Sequence, residues 1–121
     1  MHKEQVLALL KQEAPNAKID IAEFGITLEV PSSDWLSTIE KLYNSPQLKL
    51  KKLKVLTVRA NTFLWAELGS ELINERVSIS CPAPSSENKI PSIQYLWPLA
   101  DWFEREIFSV WGIKIEGAES P

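Results

Sequence analysis

The segment PLADWFEREIFSVWGIKIEG, residues 98–117, decides how the chain is read, because its apolar spacing, charged triplet and stop signal all describe one helix. At roughly 100° per residue, Leu99, Trp102, Phe103, Ile107 and Val110 gather on one side. Pro98 suits the first helical position, where a missing N–H costs little. Gly112 suits the position just past the last turn, where the backbone turns left-handed. The pattern predicts a helix bounded by residues 98 and 112.

The same spacing puts Glu106 in the middle of the apolar stripe, one turn from Trp102 and one turn from Val110, with Asp101, Glu104 and Arg105 toward the other side. A carboxylate left charged and unpaired on a packed face costs several kcal/mol. The expectation is therefore that Glu106 meets a donor or a cation, in this chain or in another. The alternative is a helix-edge Glu that curls out to water.

Around this helix the residues form a wider pattern: Pro91-Ser92-Ile93, then Trp97-Pro98-Leu99-Ala100, Trp102-Phe103-Glu104-Arg105-Glu106 and Gly112-Ile113. It resembles the signature of the respiratory complex I 30 kDa subunit family, also called the C subunit of NADH-quinone oxidoreductase, which includes the small related subunits of energy-converting nickel-iron hydrogenases. Family members carry an Asp where this chain has Ser109, and a His-Pro pair where it has Ala118 and Glu119. The i,i+4 pair from Arg105 to that Asp is thus missing. These departures, and an end at Pro121 without a longer basic tail, lean toward the hydrogenase-type relatives.

The resemblance implies a non-catalytic, cofactor-free subunit, peripheral at the inner, cytoplasmic face of the membrane. It would brace a large catalytic subunit and its electron-transfer module, with iron-sulfur clusters, nickel-iron site or quinone in partner subunits. By the same carry-over Trp97, Trp102, Glu104, Arg105, Glu106 and Trp111 belong to the interface or motif, and Gly112-Ile113 redirect the chain into a final short strand. The competing expectation is an unrelated small protein- or ligand-binding module with no redox role, in which the helix completes the core. An enzyme using carboxylates in a cleft ranks below both.

Working outward, residues 3–13 alternate Val6, Leu7, Leu9 and Leu10 with charges, an amphipathic helix stopped by Pro15. Ile19-Asp20-Ile21 and Ile26 to Val30 read as a hairpin turning at Gly25, with Ile26, Leu28 and Val30 facing the core. Ser32 or Ser33 is a cap for a second helix carrying Trp35, Leu36, Ile39, Leu42 and Tyr43, ended by Asn44-Ser45-Pro46. Residues 48–58 read as a strand with Leu53, Val55 and Thr57 on one side. Its lysines, Lys49, Lys51, Lys52 and Lys54, suit a solvated sheet edge or an acidic partner surface. Residues 63–68 and 77–81 are two more strands, and 82–91 is a proline-rich loop.

The whole, residues 1–121, is expected to be one α+β domain: a mixed or antiparallel sheet of about four or five strands with helices packed on it. A chain of 121 residues, 45% hydrophobic and 24% charged, can bury a core without staples. Its net charge of −3 argues against a nucleic-acid partner, which calls for a basic surface. One cysteine, Cys81, and one histidine, His2, fall short of the roughly four ligands that a structural zinc or an iron-sulfur cluster takes. Cys81 reads as a small buried hydrophobe in a reducing compartment. No stretch reaches the roughly 20 apolar residues of a membrane span, and residues 1–15 are read as too short and acidic for a secretion signal, so membrane contact is expected only through partners. The four glycines are too scattered for a phosphate loop, and a lone terminal histidine is a poor base for a nucleophilic triad. Glu104 and Glu106, two apart on a helix, point to different sides.

Overall fold

In the computed structural model, residues 1–23, 25–60, 62–84 and 89–117 are described. Ser85 and Ser86 of the proline-rich loop, and Ala118 and Glu119, lie outside them. The elements run in the order α1 (Lys3–Glu13), β1 (Lys18–Ala22), β2 (Gly25–Glu29), α2 (Trp35–Asn44), β3 (Lys52–Arg59), β4 (Phe63–Gly69), β5 (Arg76–Pro82), β6 (Lys89–Pro91), α3 (Ala100–Trp111) and β7 (Lys114–Glu116). This is the expected α+β class. Five strands form one mixed sheet in the order β1-β2-β5-β4-β3, with β2 and β5 parallel and the other neighbours antiparallel.

Alternation explains the core. Ile26 and Leu28 of β2, Leu64, Ala66 and Leu68 of β4, and Val77, Ile79 and Cys81 of β5 are all buried, each two residues from the next. Val6 and Leu10 of α1 and Trp35, Ile39 and Leu42 of α2 meet them at helical spacing, burying the apolar surface that drives collapse. Burial also pushes the Cys81 thiol up to about 11, against the opposing pull of the Ser32 hydroxyl, which suits a structural thiol.

Four local expectations need correction. Gly25 is not the turn but the first residue of β2, paired with Ala22 on one side and Arg76 on the other. Neither Ser32 nor Ser33 caps α2; a 3-10 turn at Ser32–Asp34 leads into it, and the Ser32 hydroxyl donates to the Pro82 carbonyl at 3.3 Å. β3 starts at Lys52 rather than at residue 48. Lys49 adopts φ 45° and donates its N–H to the Ser45 carbonyl, while Leu50 donates to Leu42, so this stretch is tied to the end of α2. A bulge between Leu53 and Val55 then shifts the alternation, so Leu53, Leu56 and Val58 are buried instead of Leu53, Val55 and Thr57. The lysine-rich strand is at the sheet edge, as its charge run suggested.

The fourth correction concerns residues 89–91. Within the expected loop lies β6, which pairs in parallel with β7, Ile90 opposite Ile115. Three residues hold no periodic signal, and their partner arrives 25 positions later, on the far side of α3. Strand β6, helix α3 and strand β7 thus make a small crossover unit whose helix lies against β3.

Candidate functional site

The turn before α3 sets its direction. Leu96 and Trp97 donate their N–H groups to the Ile93 carbonyl, and Ala100, Asp101 and Trp102 donate to Trp97, Pro98 and Leu99 in turn. All but the Trp97 bond span three residues and tighten the approach, so the helix proper begins at Ala100, two residues after the expected proline start. Trp97 is internal: its indole N–H donates to the Lys51 carbonyl at 2.7 Å and its ring meets Tyr43 edge-on at 5.2 Å. At the other end Gly112 has φ +71° and donates to the Phe108 carbonyl, the left-handed stop its position predicts. Ile113, just beyond it, is buried, and β7 is the expected final strand.

The acid that enters the interior is Glu104, not Glu106. Glu104 is 1% exposed; its Oε1 accepts from the Ser92 hydroxyl and the Gln94 amide, and its Oε2 accepts from the Ile93 N–H, each at 2.8 Å. Ala100, Glu104 and Ile107 form the buried face of the helix. The apolar count favoured another face because it ignored the donors that the 92–94 turn delivers. A carboxylate with three short hydrogen bonds can replace water at modest cost. Ser92, Ile93 and Glu104 are therefore joined physically, although 11 and 12 residues separate the isoleucine and serine from the acid.

Arg105 also finds an answer the sequence reading missed. The i,i+4 pair looked for forward, toward position 109, is made backward: Arg105 Nε lies 3.0 Å from Asp101 Oδ1. The pair is half exposed, and such pairs add about 0.3–0.5 kcal/mol.

The stripe expected to pack is split: Ile107 is buried and Phe103 half-buried against the core, while the rest is open. Trp102 and Val110 are each 62% exposed, and Leu99, Phe108 and Trp111 are exposed as well. Trp102 stacks edge-on against Phe103 at 5.3 Å. Together with Val55, Leu56, Thr57 and Val58 of β3, the outer side of α3 lines an open groove of about 350 Å³. Glu106 belongs to its wall, exposed, and among the described residues no ion pair or hydrogen bond reaches it. Its predicted place amid Trp102 and Val110 is correct, but that part of the stripe faces out.

The eight residues singled out by the sequence therefore divide. Trp97, Glu104 and Ile113 are internal and hold α3 in place; Trp102, Arg105, Glu106, Trp111 and Gly112 lie at the surface. Sequence reasoning missed Ser92 and Gln94 as partners of Glu104, and the β3 side of the groove. The Ser-x-Gln spacing was visible, but only the folded turn aims it at the acid. Glu104 and Glu106 diverge, so they form no acid–base pair on one substrate. Among the described residues, no group of three or more His, Cys, Asp and Glu is placed to hold a metal ion. No described helix is long and apolar enough to cross a membrane.

An α+β domain with a carboxylate-locked terminal helix is the class this geometry defines, and solved structures share its fold. A chain of the membrane-bound sulfane sulfur reductase (MBS), an archaeal respiratory membrane complex, superposes with a TM-score of 0.77 at 16% identity, over 96% of this chain and 71% of that one. The trypsin-resistant fragment (1-134) of Nqo5 gives 0.72 at 20% identity, over 97% of both.

Residues 28–121 match the family described as the respiratory-chain NADH dehydrogenase 30 Kd subunit, and the chain belongs to that family. The C subunit of NADH-quinone oxidoreductase from Rhodopseudomonas palustris (strain BisB18) is 31% identical over 121 residues, covering 94% of this chain and 59% of that protein. Its counterpart from Polaromonas naphthalenivorans (strain CJ2) is 28% identical over 127 residues, covering 94% and 61%. The chain spans about three fifths of the length of these curated relatives. Family membership removes the reading of an unrelated module.

Proposed function

We propose that this chain is a peripheral, cofactor-free and non-catalytic subunit of a membrane-associated redox complex of the NADH-quinone oxidoreductase or energy-converting hydrogenase type. It braces the large catalytic subunit and the electron-transfer module at the cytoplasmic face of the membrane, which it reaches only through its partners. Iron-sulfur clusters, nickel-iron site or quinone belong to those partners. The outer side of α3 is the docking face, with Trp102, Arg105, Glu106 and Trp111 on it, while Trp97, Glu104, Gly112 and Ile113 fix its orientation.

The observation that carries this reading is an apolar, aromatic helix face left in solvent on a helix whose inner side is fully engaged. Exposed patches of this kind mark contact surfaces, and tryptophan and arginine are the residues that anchor them. Membership in a family named for a respiratory-chain subunit supplies the kind of assembly. Affinity purification of the tagged chain from its source membranes tests the proposal. Recovery with a large redox subunit is expected; recovery as a lone monomer, with the complex assembled without it, overturns it.

A further inference from the structure

We infer that the groove between α3 and β3 receives a protein segment of a partner subunit that presents one arginine or lysine, flanked by apolar side chains, to Glu106. The inference rests on the docking reading above and deepens it. Glu106 lies one helical turn from Trp102 on one side and from Val110 on the other, and all three line the groove with Val55, Val58 and Trp111. Whatever covers the exposed indole of Trp102 and the side chain of Val110 also covers the carboxylate between them. Removing a carboxylate from water without a partner offsets much of what burying the neighbouring apolar side chains returns. The covering surface therefore carries its own cation: among the described residues nothing pairs with Glu106, and its neighbour Arg105 is bonded to Asp101.

The same carboxylate selects against other occupants. A second copy of this chain, docked by two-fold symmetry, brings the patch onto itself and sets Glu106 near Glu106. An anionic lipid surface meets, on the solvent-facing side of α3, the acids Asp101 and Glu106, no lysine, and a single arginine already bonded to Asp101, the reverse of the basic flank that membrane-surface helices carry. A cationic, apolar-flanked protein segment satisfies the groove on both counts, and it provides discrimination as well as contact.

The test uses the full chain in its source organism, with a benzophenone photocrosslinking residue placed at position 110 and, as a control, at the exposed Phe63 that opens β4. Light is expected to join position 110 to one other subunit, within a helical turn of an arginine or lysine. Glu106→Arg is expected to lower recovery of the assembled complex about 30-fold or more, the consequence of breaking a buried charge pair. Changing the mapped partner cation to Glu should restore recovery in the Glu106→Arg background. Glu106→Arg should leave the thermal midpoint of the isolated chain unchanged, which separates docking from folding. Crosslinks from 110 to a second copy or to lipid overturn the inference, as does full assembly of the Glu106→Arg chain. A chain that assembles but crosslinks only from position 63 overturns the groove and leaves the docking role standing; a chain that never assembles overturns both.

Discussion

Glu104 and Glu106 stand two residues apart on α3, yet one is enclosed by three hydrogen-bond donors and the other faces a groove with none among the described residues. The inner side of the helix is settled within the chain: Ala100 and Ile107 pack, Glu104 is paired and Trp97 holds the approaching turn. On the outer side Trp102, Phe108 and Val110 remain in water. The lesson of the comparison is that a helix face cannot be assigned as inner by its apolarity alone. On α3 the inside is where the buried acid, as well as the apolar groups, finds partners.

Removing the inner acid should do the most damage. Glu104→Leu leaves the Ser92, Ile93 and Gln94 donors without their acceptor, and we expect a loss of about 3 kcal/mol or more in urea unfolding. Unchanged stability would mean that the two faces are not so different. Trp97→Phe keeps the ring against Tyr43 but strands the Lys51 carbonyl, for an expected loss of about 1–2 kcal/mol by the same measurement. Gly112→Ala sharpens the account of the helix stop: no atom crowds the added methyl, so only the left-handed backbone resists, at about 1 kcal/mol in thermal unfolding. Smallest is the outer face, where Val110→Ser and Glu106→Gln should each leave stability within about 0.5 kcal/mol while weakening assembly. A large destabilisation by either would make the outer face part of the core.

Much of the fold was legible because it is periodic. The helical spacing of Trp35, Ile39 and Leu42 and the alternation of Ile26 and Leu28 give their elements directly, and their inward faces are the ones observed. The left-handed Gly112 was legible for a chemical reason. What stayed hidden depends on distant pairing. The bulge after Leu53 is set by the register with β4, and β6 exists only because β7 lies beside it. At the site, the motif residues were found, but their division into inner and outer was inverted for the two acids. No sequence window contains the fact that the 92–94 turn folds back over α3.

The ribbon of β6 and β7 has a dynamic consequence. It ties both ends of the α3 unit together: Ser92 donates its N–H to the Glu116 carbonyl, while the next amide, Ile93, is held by Glu104 in the middle of the helix. Neither clasp can open far without straining the other, so residues from Lys89 to Glu116 should breathe as a single cooperative foldon. Slow amide exchange at Ser92 and Ile93 should then share one opening rate, and an approaching surface should meet the indole-bearing side as a preformed plate rather than a fraying end.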